Sequence, residues 1–319
     1  MQIKNPYFLS KLNATTYLIK HNDSYTEFPF IYVKLYSDPA LAVIWDTGVG
    51  ADQSEEGYFK EELKDFIDTN VLEWDKQYEY MVISTHVHFD HIGGMEAFYD
   101  AGADIVASGY DPDFVAPENR AANSLCANFN VPTPQYEVSQ LVDDRSRIKH
   151  NGRDLGLVAV FTPGHTPDSL AVFDEGERFI MTGDTVYRRI AHLPWGETQD
   201  VPIILVLQSN WKDWVGSLQT LADFIKTNEY DYFQQTGGKT PIQIAAGHTT
   251  DSIPAGPLVQ RCLDFTDRVV AGNVPIIARL PGDEVAPGGT LGDAIFVFWQ
   301  EDGDPEFSLI APEDFIDDF

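Results

Sequence analysis

His86-Val87-His88-Phe89-Asp90-His91 places four metal-capable side chains within six positions, directly after the apolar run Tyr80-Met81-Val82-Ile83. The run, taken over 79–85, reads as a buried strand. The polar side chains therefore sit on the turn leaving a rigid sheet, where geometry can be held tightly. His86 and His88, two apart in near-extended backbone, point the same way. Asp90 and His91 lie on the following turn and reach a second point nearby. Gly93-Gly94 let the chain swing into a helix over 93–101. Burying so much imidazole and carboxylate without a partner is costly, so the stretch is read as a metal site.

Outward from this stretch, residues 14–20, 30–36 and 41–45 read as strands, closed by the turn Asp46-Thr47-Gly48-Val49-Gly50. Residues 55–74 carry Phe59, Leu63, Phe66 and Ile67 at helical spacing, and 103–107 is a short strand. The segment 110–140 is rich in Pro, Asn and Asp and reads as an irregular excursion with short helices, a lid or rim. Strands follow at 155–162, 169–174 and 178–182, helix over most of 202–228, a strand at 242–246, a helix at 257–271, and a last strand group at 275–279 and 294–300. Taken whole, 186–232 reads as a helical insertion. The order suggests two similar α/β halves within one domain spanning 1–319.

Three more segments end an apolar strand on a ligand-type residue after a glycine: Gly164-His165, Gly183-Asp184 and Gly247-His248. One such loop alone is weak, because an isolated loop His is usually solvated. Four strand ends in one chain are a stronger signal. His21 and His150 read as ordinary exposed residues.

Composition narrows the function. The 319 residues carry 50 acidic against 21 basic side chains, a formal net charge of -29. That surface repels phosphate backbones, which argues against nucleic acid as a partner and weakly against anionic membranes. Cys126 and Cys262 form no metal-type pair and read as buried thiols. The start, Met1-Gln2-Ile3-Lys4-Asn5-Pro6, lacks the apolar region of a secretory signal, and no run approaches a bilayer span. A cytoplasmic protein acting on a small-molecule substrate is the expectation. A homo-oligomer is compatible with the pattern but no motif encodes one.

The ordered set HxHxDH, GH, GD and late GH resembles the metallo-β-lactamase superfamily of binuclear metal hydrolases, over about residues 14–250. The resemblance implies a four-layer αββα sandwich with the metals at one edge between the halves. It implies that His86, His88 and His165 hold one metal, that Asp90, His91 and His248 hold the other, and that Asp184 bridges them. Asp46 matches a family position that supports the ligands from behind. The all-imidazole and carboxylate set suits two Zn2+, with Fe or Mn tolerated. The implied reaction is attack of a metal-bound hydroxide on a carbonyl carbon, with Asp90 orienting the nucleophile or passing a proton.

Within the superfamily, His88 stands where oxygen-reducing diiron members carry Glu, which favours hydrolysis. Asp184 stands where secreted β-lactamases often carry Cys. Glyoxalase II-type thioesterases grip an anionic thiol cofactor with basic side chains, and residues 282–319 contain no Lys or Arg. Asp184-Thr185-Val186-Tyr187 looks like the Asp-x-x-Tyr of quorum-signal lactonases, whose phenol helps hold the carbonyl or oxyanion. Phe89 also resembles those lactonases. The 64 positions from Asp184 to His248 depart from their pattern and look more like fungal members that open small lactam or carbamate rings. The expectation is ring-opening of a small lactone or lactam, with Phe89, Tyr187 and Trp195 at the substrate and Trp211 and Phe114 as further wall candidates. A thioesterase and a catalytically inactive metal-binding interaction protein are the alternatives.

Overall fold

The computed structural model describes residues 6–50, 62–286, 288, 291–301, 303 and 306–315. The first sheet runs in chain order through β1 (Tyr7–Lys11), β2 (Thr16–His21), β3 (Phe30–Ser37), β4 (Ala40–Trp45), β5 (Glu79–Ile83), β6 (Asp104–Ser108) and β7 (Gln140–Val142). β1 to β4 pair antiparallel, whereas β4 to β7 pair parallel. Parallel neighbours require crossovers. α1 (Leu63–Asn70) lies in the first, and α2 (Phe89–Ile92) with α3 (Met95–Asp100) forms the second. Of the surface helix read over 55–74, the part before residue 62 lies outside the described residues.

α4 (Pro112–Val115) and α5 (Pro117–Asn123) are the short helices of the 110–140 excursion. The second sheet then collects β8 (Arg147–His150), β9 (Arg153–Phe161), β10 (Leu170–Asp174) and β11 (Phe179–Met181). Next in the chain come a separate hairpin, β12 (Ile190–His192) with β13 (Thr198–Asp200), then β14 (Ile203–Ile204) and α6 (Trp211–Thr236). β15 (Gln243–Ala245) and β16 (Ile253–Pro254) complete the second sheet in the order β16-β15-β11-β10-β9-β8.

Alternating side chains stack these elements into layers. Leu41, Val43 and Trp45 of β4 face Leu157, Ala159 and Val172 of the second sheet, and this forms the central core. Ala42 and Ile44 point the other way, onto Phe66, Ile67 and Phe98. Val160 and Ile244 face α6 and α7 (Ala255–Val270) through Trp214, Leu218 and Leu258. The result is an αββα sandwich of two similar halves. His150 of β8 ties them together at one side, its ring nitrogens 2.7 Å from Asp104 and 2.6 Å from Glu79. Neither His150 nor His21 is exposed, contrary to the sequence reading. Both are buried, His21 against the Tyr7 ring of β1 and His150 between Asp104 and Glu79 of the first sheet.

Two further differences lie C-terminal to Asp184. The stretch 186–210 is not helical: it carries three short strands, and the helix begins only at Trp211, capped by the Asn210 side chain. Its short apolar runs, broken by Pro194 and Pro202, lead directly into the helical pattern after Trp211, which is why periodicity misplaced it. The last strands also join no existing sheet. β17 (Ile276–Pro281), β18 (Ile295–Gln300) and β19 (Ser308–Pro312) form a third sheet, ordered β14-β19-β18-β17, with α8 (Gly282–Val285) between β17 and β18. β14 pairs parallel with β19, so a segment far upstream completes this sheet.

Candidate metal centre

Every ligand-type residue named from sequence lies where a strand ends on the same edge of the sandwich. β5 delivers His86, His88, Asp90 and His91, and β4 delivers Asp46. β9 leads to His165, β11 to Asp184 and β15 to His248. All eight side chains are buried. The donor atoms fall into two sets, His86-His88-His165 and Asp90-His91-Asp184-His248, each with its atoms within 4.8 Å of one another.

In the first set, His88 Nδ1 lies 3.1 Å from both His86 Nε2 and His165 Nε2. In the second, Asp90 Oδ2 is 3.2 Å from His91 Nε2 and 3.1 Å from His248 Nε2. Asp184 Oδ2 stands between the sets, 3.3 Å from His248 Nε2 and 3.9 Å from His165 Nε2.

The opposite nitrogen of each imidazole is also partnered. His91 Nδ1 is 2.9 Å from Asp46 Oδ2, and His165 Nδ1 is 2.8 Å from the Ile204 carbonyl. His248 Nδ1 is 2.9 Å from the Glu27 carbonyl, and His86 Nδ1 is 3.1 Å from Thr85 Oγ1. Thr85 Oγ1 donates in turn to Asp46 Oδ2 at 2.8 Å, so it accepts from His86. His88 Nε2 is 2.9 Å from the Gln208 side-chain amide. These partners fix ring orientation and leave one nitrogen of each ring turned inward.

The inner atoms lack enough hydrogen-bonding partners of their own. His91 Nε2 and Asp184 Oδ1, 3.5 Å apart, are buried with no hydrogen-bond partner among the described residues. Gly247 shows how tightly the backbone frames them, since a Cβ there would come within 2.3 Å of Asp184 Oδ1 and 2.6 Å of His91 Cε1. A convergent set of imidazoles and carboxylates with unspent lone pairs suits a dinuclear metal site.

Electrostatics separates the two sets. Burial, reinforced by neighbouring imidazoles, holds His86 well below its ordinary value, and burial takes His88 down to about 3. Burial also lowers His165, against the pull of Asp184. In the second set burial is overcome: Asp90 and Asp184 hold His91 well above its ordinary value, and they lift His248 to about 10. Both carboxyls conversely sit well below the carboxylate range despite burial, because His91 and His248 face them. Without metal, imidazolium protons supply the positive charge that the second set demands.

A cavity of about 70 Å3 opens onto both sets, walled by Phe89, Leu125, Phe129, Tyr187, Val206 and Val285 among others, with no Lys or Arg in its lining. Phe89 stacks on Phe129 with ring centroids 3.9 Å apart. Tyr187 presents its ring to the cavity, 5.7 Å from His248, while its hydroxyl donates to the Pro202 carbonyl at 2.9 Å.

The other aromatic candidates are elsewhere. Trp195 packs on Phe8 and Phe28, Trp211 on Trp214 in the first turn of α6, and Phe114 in the core outside the first sheet. Trp195 and Trp211 follow Asp184 in sequence, but the β12–β13 hairpin and the start of α6 turn them away from it, and Phe114, read as part of a lid, lies in α4 against the first sheet's outer core. Sequence reasoning missed Gln208, Val285 and Glu27. The last is a half-buried side chain at the cavity whose carboxyl is pushed up to about 8 by burial and by Asp90. No local pattern marks one glutamate among 50 acidic residues.

The fold and the paired ligand sets define a binuclear-type metallohydrolase scaffold. Residues 32–248 match the family model described as "Metallo-beta-lactamase superfamily", and the chain belongs to that superfamily. Among curated proteins it is 28% identical over 278 residues to "Putative transcription factor avaE" of Aspergillus versicolor, covering 83% of this chain and 77% of that one. It is 25% identical over 170 residues to the human "Acyl-coenzyme A thioesterase MBLAC2", covering 50% of this chain and 60% of that protein's length. Among solved structures, a metallo-β-lactamase from Erythrobacter litoralis with β-mercaptoethanol in its active site superposes with TM-score 0.55 at 15% identity. That match covers 83% of this chain and 98% of the other.

Proposed function

We propose that this chain is a metal-dependent hydrolase that opens a small, uncharged lactone or lactam ring. The observation that carries this reading is the convergence of two imidazole and carboxylate sets on a small cavity with apolar walls and no basic residue. His86, His88 and His165 would hold one divalent metal and Asp90, His91 and His248 the other, with Asp184 between them. Zinc fits this donor set best. When bound, two such ions would supply an activated water at neutral pH and polarise the carbonyl of the substrate.

The chain's own residues supply the rest. The outer hydrogen bonds at His86, His91, His165 and His248 hold those imidazoles in the tautomers that metal binding needs, whereas the Gln208 amide at His88 fixes only the ring's orientation. Asp90, whose carboxyl is held ionised, is placed to accept the proton of the attacking water and return it to the leaving group. Phe89, Phe129 and the ring of Tyr187 exclude water and clasp an apolar ring face. The cavity has room for about two water molecules, which suits the reacting edge of a small ring better than a long polar chain.

A thioesterase is the second reading, favoured by the likeness to the human thioesterase. The name of the Aspergillus relative raises a regulatory role without turnover, against which the chain keeps all seven ligand-type residues and a net charge of -29. A panel of lactones, lactams, esters and thioesters offered to zinc-loaded protein separates these readings. Ring-opening at least ten times faster than thioester cleavage is expected. Preference for thioesters would favour the second reading, and no turnover in any class the third.

A further inference from the structure

We propose that the substrate carries an uncharged hydrocarbon substituent beside its scissile carbonyl, and that this tail lies in a seam between residues 110–140 and the third sheet. The word substrate rests on the hydrolase reading, whereas the apolar subsite is read by binding alone.

Two separate hydrophobic clusters wall the metal cavity. Phe89, Leu125 and Phe129 belong to one, packed with Val49 and Cys126. Val206, Val285 and Ala286 belong to the other, packed with Phe296 and Ile310 of the third sheet. Among the described residues none is common to both clusters. The metal cavity is therefore the inner end of a seam rather than a hole in one core. Leu125 and Val206 also line a second cavity of about 410 Å3. It carries the seam outward between Ala121, Ala122 and Ala127 on one side and Leu207 and Leu291 on the other. Leu125 reaches this junction from left-handed backbone, φ 60°, which a leucine keeps only where its surroundings enforce it.

Two contacts join the sides of the seam without filling it. The Gln208 amide donates to the Asn123 carbonyl at 3.0 Å and lies 2.9 Å from His88 Nε2. Gly288 comes so close to Asn128 that a Cβ there would stand 2.9 Å from the Asn128 Cα. The second cavity is lined by no Asp, Glu, Lys or Arg among the described residues, on a chain with 50 acidic and 21 basic side chains. The opposite side of the metal cavity differs. Across the Phe89–Phe129 stack lies a depression of about 680 Å3 bordered by Glu62, Glu96 and Asp100. A hydrocarbon tail gains by leaving water for the aliphatic seam, whereas beside carboxylates it would displace water that those groups need.

Straight-chain alkyl hydroxamates, from acetohydroxamate to octanohydroxamate, test this by calorimetry on the full-length, zinc-loaded chain. They share one metal-binding head and differ only in tail length. Expected is about threefold tighter binding per added methylene. Ala122→Phe fills the seam from an exposed position on α5, and Leu207→Asp places a charge in it from an exposed loop position. Either should remove most of the gain with length and leave the acetohydroxamate Kd within about twofold of wild type. Affinity indifferent to tail length, a gain that survives both variants, or no binding of any member overturns the inference. γ-Lactones with alkyl tails of matching lengths separate it from the hydrolase reading. Turnover with kcat/KM and hydroxamate Kd both indifferent to the tail keeps that reading and sinks the subsite. Tail-dependent binding with no lactone or lactam turned over keeps the subsite and sinks the ring-opening reading.

Discussion

Asp46 Oδ2 lies 2.9 Å from His91 Nδ1, and the same oxygen accepts the Thr85 hydroxyl at 2.8 Å while Oδ1 accepts the Thr85 backbone N–H at 2.8 Å. One carboxylate thereby orients His91 directly and His86 through Thr85, which joins the two donor sets from behind. Asp46 achieves this at φ 60°, a conformation that Asp and Asn tolerate better than most residues. Asp46→Asn keeps shape and backbone but removes the charge. It should weaken zinc binding about 10–100-fold, as measured by competition with a chromophoric chelator. Unchanged affinity would remove Asp46 from the metal-binding role.

The two sets should differ in proton release. At pH 7 His86, His88 and His165 are already neutral, whereas His91 and His248 carry protons that a metal must displace. Zinc uptake by the second set should therefore release roughly one to two protons, and uptake by the first almost none. Calorimetry in buffers of different ionisation enthalpy reads this. The affinity of the second set should also fall more steeply as pH drops from 8 to 6.

The metal-free protein should lose stability in acid. The buried imidazoles of the first set have folded values below their unfolded ones, so below about pH 6.5 the unfolded chain binds protons the folded chain refuses. Stability then rises with pH across the window from about 3 to 6.5. Denaturant midpoints that stay flat across this window, with zinc absent, contradict burial of neutral imidazole there.

Gly247→Ala should disable one set selectively. Its Cβ would press on Asp184 Oδ1 and His91 Cε1 but on no atom of His86, His88 or His165. Zinc content should fall from two equivalents toward one, with hydrolysis reduced at least a hundredfold. A variant that keeps both equivalents and full activity would show that the strand after β15 can yield.

Tyr187→Phe distinguishes a structural phenol from a chemical one. Because the hydroxyl is already given to Pro202, its loss should cost about 1 kcal/mol of stability and leave kcat within about threefold. A fall of a hundredfold or more in kcat would instead assign the phenol to the oxyanion.

The sequence read well where one residue type serves one local geometry. His86, His88 and His91 declare themselves because nothing structural requires three imidazoles in six positions, and the glycines before His165, Asp184 and His248 mark strand ends that approach a centre closely. β4 and β9 were legible as strands for the same reason, β4 as a continuous apolar run buried on both faces and β9 through its partial alternation. Reading failed where identity is generic and placement is tertiary. Trp195 sits near Asp184 in sequence, yet a hairpin turns it toward Phe8. Glu27 and Gln208 reach the site from loops with no distinguishing composition. β19 reads as an ordinary apolar run until β18 is there to receive it.

The orienting carbonyl for His165 belongs to Ile204, and Ile204 sits in a two-residue strand whose partner is β19. Leu205 strengthens the join by donating its backbone N–H to Ile310 at 2.8 Å. During synthesis, therefore, six of the seven donors can emerge and fold around their own strands while His165 still lacks its brace. The first metal set becomes rigid only after residues 308–312 have left the ribosome. The rigidity of the first metal set thus depends on a strand that lies more than 140 positions beyond His165 in the chain.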